Sequence, residues 1–231
     1  MSYKTEMHCH TSPVSSCASV TPERVIEEYL KAGYSTIVLT NHFSFFSFEP
    51  HRLGKGAEAT WADKVEYYIS AYRDLCRCAE GKLNIILGAE LRSNTDGNDY
   101  LMYGIDEKFL LDNSDIMDIG VEEVSKRLHE IGALFVQAHP FRNGMRVKNP
   151  TCFDGVEVYN GHVWHESRNE LAYMWAEKYG KIMTSGSDYH EVAHVIDAGI
   201  ETDEPITTAK QLVEVLKKGK YSLIRTGAAP Y

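Results

Sequence analysis

Five times along this chain of 231 residues, an apolar, strand-like run ends in a histidine or a carboxylate. The ends are His8-Cys9-His10, Thr40-Asn41-His42, Gly88-Ala89-Glu90, Ala138-His139-Pro140 and Gly186-Ser187-Asp188-Tyr189-His190. An apolar strand running straight into a carboxylate such as Glu90 is best explained by a cation there, because burying an unpaired charge is costly. The candidate strands are Lys4–Thr11, Thr36–His42, Leu83–Leu91, Tyr100–Ile105, Ala133–Pro140, Gly155–Asn160 and Ile182–His190. Helical periodicity fills the gaps between them. Thr21-Pro22 opens a first helix that stops at Gly33, and Trp61, Val65, Tyr68, Ile69, Tyr72 and Leu75 mark a long second one up to Gly81. Val121, Val124, Leu128 and Ile131 precede Gly132, Leu171, Met174, Trp175 and Lys178 precede Gly180, and Leu212, Val215 and Leu216 precede Gly219.

Alternating strand and helix over the whole chain predicts an α/β fold with parallel strands and helices outside, in one domain over residues 1–231. About seven units suit either an open doubly wound sheet or a closed barrel. Both collect functional groups at the carboxyl ends of the strands. Residues i and i+2 of a strand share a face, so His8 and His10 aim together, as do Asp188 and His190. These pairs stand on the first and last strands, which are neighbours only in a closed barrel. That favours the barrel, and with His42, Glu90 and His139 it predicts a site for divalent metal.

Composition narrows the function. Net charge is −9, against a nucleic-acid surface or an anionic-membrane binder. No apolar run is long enough to span a bilayer. Five cysteines in no paired pattern fit a reducing compartment, and the expected location is cytoplasmic. Gly-rich phosphate loops and serine nucleophile elbows are absent. Cys76-Arg77-Cys78 diverges on its helix and makes a poor metal clip.

The ordered set His8-x-His10-Thr11, Thr21-Pro22-Glu23, Thr40-Asn41-His42, Gly88-Ala89-Glu90, Ala138-His139-Pro140 and Gly186-Ser187-Asp188-x-His190 resembles the PHP (polymerase and histidinol phosphatase) family. The resemblance spans residues 8 to 190. It implies a distorted seven-stranded (β/α) TIM-like barrel with two or three divalent ions (zinc, manganese or iron) at the carboxyl ends of its strands. It also implies hydrolysis of phosphate esters. Carried over, His8, His10, Glu90 and Asp188 surround one ion, Glu90 bridges to a second held by His139, and His42 and His190 belong to a third. Asp188 and His190 take the catalytic positions.

Three departures stand out. Cys17 occupies an aspartate position and is either a ligand of the third ion or a small buried residue. Asn41 replaces an aspartate and removes a negative charge beside the site. Leu101 stands where many members have a histidine, while Asp99, on the same face, either reaches the second ion or caps a turn with Gly97-Asn98.

The expected reaction is hydrolysis of a small phosphate monoester (histidinol phosphate, a sugar phosphate or a nucleotide) by metal-activated hydroxide. Arg142, then Arg52 with His51, and His162 with His165 are the candidate substrate-binding groups. Phe43, Phe45, Phe46 and Phe48 form either an apolar wall for substrate or a loop packed on the rim. Two alternatives remain open: an amidohydrolase-like metal-dependent hydrolase, and a non-catalytic metal-binding module. The sequence gives no oligomeric state.

Overall fold

The computed structural model describes residues 2–54 and 59–225. Its elements run β1 (Tyr3–Cys9), α1 (Pro22–Lys31), β2 (Tyr34–Leu39), β3 (His42–Phe43), α2 (Pro50–Leu53), α3 (Trp61–Ala79), β4 (Asn84–Arg92), β5 (Asp99–Tyr103), α4 (Glu107–Asp112) and α5 (Val121–Glu130). They continue as β6 (Leu134–Gln137), β7 (Gly155–Asn160), α6 (Asn169–Lys178), β8 (Ile182–Gly186), β9 (Ala198–Thr202), α7 (Ala209–Lys218) and β10 (Ser222–Arg225). Local chemistry sets the helix ends. Thr21 caps α1, and Thr60 with Asp63 forms a reciprocal capping box on α3.

The sheet has the order β10-β9-β1-β2-β4-β5-β6-β7-β8, with β3 paired to β4. It curls into a nearly closed barrel. At the carboxyl rim the chain after β8 meets β1 directly: Cys9 bridges Tyr189, and the His10 amide donates to the Tyr189 carbonyl at 3.0 Å. At the other end β9 pairs antiparallel with Tyr3–Thr5 of β1, and β10 pairs with β9. The Ser185 hydroxyl reaches the Ile224 carbonyl at 2.6 Å, linking β8 to β10.

The expected seven parallel strands are therefore corrected in three ways. The antiparallel pair β9 and β10, joined through α7, adds two strands. The His42–Phe43 segment separates from β2 as a short strand of its own. And β5 runs antiparallel to both β4 and β6. Its direction carries its first residue, Asp99, to the same rim as the last residues of β4, with Asp99 opposite Arg92.

Two apolar clusters line the two faces of the sheet. Val38, Ile86, Leu101, Tyr103, Leu134 and Val136 pack with Leu212, Val213 and Leu216 of α7, so this helix plugs the interior below the site. Gly104 lets it approach, since a Cβ there would lie 2.8 Å from Val213 Cγ2. Ile37, Leu39, Leu87, Ala89, Met102 and Phe135 pack outward against Val25, Val65, Ile69, Leu75, Val124 and Leu128. The period of two puts Glu90 on the inner face, above Ile86 and Gly88. In α6 the expected apolar stripe holds only at Trp175, which packs on the core: Ala172 and Ala176 are buried, while Leu171 is 46% and Met174 64% exposed. Among the described residues, no helix is long and apolar enough to cross a membrane.

Candidate metal centre

His8 and His10 leave the end of β1 with both imidazoles buried, and Asp188 meets them from the turn after β8. His8 Nε2 lies 3.3 Å from Glu90 Oε1 and 3.5 Å from Asp188 Oδ1. His10 Nε2 lies 3.3 Å from Asp188 Oδ1 and 3.5 Å from Glu90 Oε2. Neither Nε2 has a hydrogen-bond partner. Ligands at about 2.05 Å from a tetrahedral ion are about 3.4 Å from one another, so these four separations match the edges of a coordination polyhedron. The residues fit a divalent cation.

Two further groups share the same rim. Glu90, Asp99 and His139 offer one set of ligand atoms, and His10, His42 and His190 another. His42 Nδ1 is 2.6 Å from Glu90 Oε2, a closeness that follows from the pairing of His42 with Glu90 between β3 and β4. Asp99 is not the turn cap: Asp96 Oδ1 accepts the Asn98 amide instead. Asp99 is buried and held by Arg92 through two contacts of 2.9 Å. Cys17 is not the small buried residue. It lines the cavity, and its thiol is drawn down to about 6 because hydrogen bonds with His190 and His42 outweigh the upward push of its partial desolvation.

The last segment departs from the expected strand. Regular pairing ends at Gly186, and Asp188 has a φ of 49°, so Asp188 and His190 converge through a turn and not by strand alternation. His139 has a φ of 26°. Left-handed conformations at non-glycine residues are strained and cluster at functional sites. Here both fall on candidate ligands.

A layer of buried groups orients these rings. Glu157 takes the His8 Nδ1 hydrogen at 2.8 Å, the His139 amide at 3.0 Å and the Asn160 side chain at 3.0 Å. Ser15 Oγ accepts from His10 Nδ1 at 2.9 Å and donates to Asn41 Oδ1 at 2.9 Å, so Asn41 helps orient His10 through Ser15. Glu6 receives the amides of His8 and Ser187, and its buried carboxyl is raised to about 7 by desolvation against those bonds. Glu6 and Glu157 are not among the site residues expected from the sequence. Their signal was a carboxylate inside an apolar strand, as in Val156-Glu157-Val158.

Burial opposes ionisation of Asp188, but His8 and Arg142 outweigh it and hold the carboxyl well below its usual range. Burial likewise opposes ionisation of Glu90, which His42 and His8 overcome. Burial, with His190 and His42 nearby, keeps His10 well below the ordinary imidazole value.

A cavity of about 400 Å³ opens over these groups, lined also by Arg142, His162, Trp164, His165, Glu191 and His194. Arg142 Nη2 bonds Asn160 Oδ1 at 2.6 Å and Asp188 Oδ2 at 2.7 Å. The His162 and His165 rings lie with centroids 4.5 Å apart, tilted by 44°. His194 was missed, having no sequence signal beyond its place in a loop. Arg52 is not brought to the cavity: Pro50 starts the short helix α2, where Arg52 Nε faces Glu49 at 3.7 Å. His51 is exposed beside the same glutamate. The phenylalanine loop divides, with Phe43 and Phe48 packed in the core and Phe45 and Phe46 61% and 57% exposed.

A family model described as PHP-associated matches residues 166–221, the stretch that contains Asp188 and His190. That stretch resembles the PHP-associated family. Three solved structures share this chain's fold. PsfC from Pseudomonas syringae is 15% identical, with a TM-score of 0.65 over 92% of this chain and 88% of its own. A protein from Bifidobacterium adolescentis described as a metal-dependent phosphoesterase is 15% identical, with a TM-score of 0.57 over 94% and 96%. Endonuclease Q, in complex with a duplex carrying an abasic lesion, is 13% identical, with a TM-score of 0.63 over 94% of this chain and 57% of its own. No curated protein sequence matches.

Proposed function

We propose that this chain is a PHP-family metal-dependent phosphoesterase that hydrolyses a small phosphate monoester. The observation that carries the reading is the convergence of unpartnered His8 and His10 Nε2 atoms on Glu90 and Asp188, beside a guanidinium that faces the same cavity. His8, His10, Glu90 and Asp188 would hold one ion, Glu90, His139 and Asp99 a second, and His42 and His190, with His10 and Cys17 beside them, a third. When bound, divalent ions supply Lewis acidity to a phosphoryl group and acidify water.

The chain's own groups do the rest. Asp188, held ionised by His8 and Arg142, would accept a proton from the attacking water. His190 donates Nδ1–H to the Asp188 carbonyl at 2.8 Å, which fixes its ring and leaves Nε2 for the site. Arg142 presents positive charge to phosphate oxygens, and His162 lines the wall beside it. A net charge of −9 favours a small phosphorylated molecule over the long polyanion held by Endonuclease Q.

The test pairs metal content per chain, by plasma mass spectrometry, with a phosphate-release screen over sugar phosphates, nucleotides and histidinol phosphate. Two or three ions and release from one small monoester class support the proposal. Hydrolysis of carbon–nitrogen bonds with no phosphate release would replace it with the amidohydrolase-like reading.

A further inference from the structure

Five imidazoles around the cavity divide into two kinds according to what Nδ1 meets. In His8, His10 and His190 it faces an acceptor: Glu157 Oε1 at 2.8 Å, Ser15 Oγ at 2.9 Å and the Asp188 carbonyl at 2.8 Å. Ser15 accepts there because its own hydrogen goes to Asn41. Nδ1 therefore carries the hydrogen in all three, and Nε2 keeps the lone pair that a cation needs.

His162 and His194 are reversed. The Trp164 amide donates to His162 Nδ1 at 3.2 Å, and the His190 amide donates to His194 Nδ1 at 3.2 Å. An amide N–H cannot accept, so both Nδ1 atoms present lone pairs and both Nε2 atoms carry the hydrogen. Protonating either ring would set two hydrogens against each other, so the same contacts favour the neutral form.

The two rings stand edge to face with centroids 4.4 Å apart. His194 is only 5% exposed, and its Nε2 makes no hydrogen bond. Glu191 Oε1 lies 3.3 Å from that nitrogen and accepts from Trp164 Nε1 at 3.0 Å. Nitrogens of His162, His190 and His194 fall within 4.8 Å of one another, a spacing that suits three metal ligands. Two of the three, however, point N–H and not a lone pair.

We propose that His162 and His194 form a neutral two-donor subsite that grips a phosphoryl oxygen of the substrate, and that this trio is not a metal site. The proposal rests on the phosphoesterase reading above. Neutral donors suit the place, because they hold an anion without repelling cations bound a few ångströms away. His162 is then a hydrogen-bond donor and not the acid for a leaving group.

The test uses manganese-loaded protein, with His162→Ala, His194→Ala and His194→Gln compared with wild type. Metal per chain is measured by mass spectrometry and affinity for inorganic phosphate by calorimetry. Both alanine variants should keep the wild-type metal content and bind phosphate about tenfold more weakly. His194→Gln, whose amide nitrogen reaches the Nε2 position, should recover most of the loss. Long-range proton–nitrogen spectra of wild-type protein should place the ring hydrogen of both residues on Nε2. Fewer ions in an alanine variant, unchanged phosphate affinity, or ring hydrogens on Nδ1 would each overturn the subsite. Absence of phosphate binding by wild type would remove the phosphoesterase reading together with it, whereas equal binding by wild type and variants removes the subsite alone.

Discussion

Glu157 Oε1 lies 2.8 Å from Nδ1 of His8, and both side chains are fully buried. The carboxylate thereby fixes which nitrogen of His8 is free for the site, while its other oxygen holds the His139 amide. Partners of this kind orient ligands and raise their basicity. Glu157→Gln should weaken metal binding by about 10- to 100-fold. Competition against a chromophoric chelator measures this, and an affinity equal to wild type would exclude the orienting role.

Removing metal should lower stability. His8, His10, Glu90 and Asp188 crowd together in the fold and not in the unfolded chain, so an ion bound there stabilises the native state. At a thousandfold excess over Kd the gain is about 4 kcal/mol, which corresponds to roughly 8–15 °C in Tm for a chain of this size. Thermal unfolding with and without a strong chelator, followed by circular dichroism, gives the comparison.

Gly186 marks where β8 presses on β1. A Cβ there would lie 2.3 Å from His8 Cβ and 2.9 Å from Glu157 Oε1. Gly186→Ala should therefore destabilise the fold by about 1–3 kcal/mol through overpacking and displace His8 from the centre. Chemical denaturation and metal content should fall together, and loss of neither would show that the strands give way.

Asp99 belongs to the group with Glu90 and His139 and not to the group of His8, His10 and Asp188. Asp99→Ala should lower metal content by one ion per chain and leave the group around His8 and His10 loaded. His10→Ala, which strips two groups of a ligand, should lower it further. Mass spectrometry of the two variants side by side distinguishes them.

Leu216 lies in the plug beneath the site, away from every candidate ligand. Leu216→Ala should cost about 2–5 kcal/mol in urea unfolding. Metal content of the folded fraction should stay at the wild-type level, which separates the stability of the barrel from the chemistry of its rim.

Residues and local spacing were enough to place His8, His10, His42, Glu90, His139, Asp188 and His190 on one rim. Each sits at or just past the end of an apolar run, and the end of such a run is a local property of the chain. The helix start at Thr21 and the stop at Gly219 were legible for the same reason. The buried face of α6 was not legible, because alanine carries little apolar signal and burial of Ala172 and Ala176 depends on the closeness of β7.

Strand direction belonged to the tertiary structure. A period of two reads the same forwards and backwards, so nothing in Tyr100–Ile105 announces that β5 runs antiparallel and delivers Asp99 to the metal rim. The same holds for closure, which depends on β9 pairing with β1 across almost the whole chain. It holds most of all for the histidines. The sequence by itself supplied the imidazoles, but whether each offers a lone pair or a hydrogen is set by the group that meets Nδ1. For His8 that group is Glu157, 149 residues away, and only the folded barrel brings the two together.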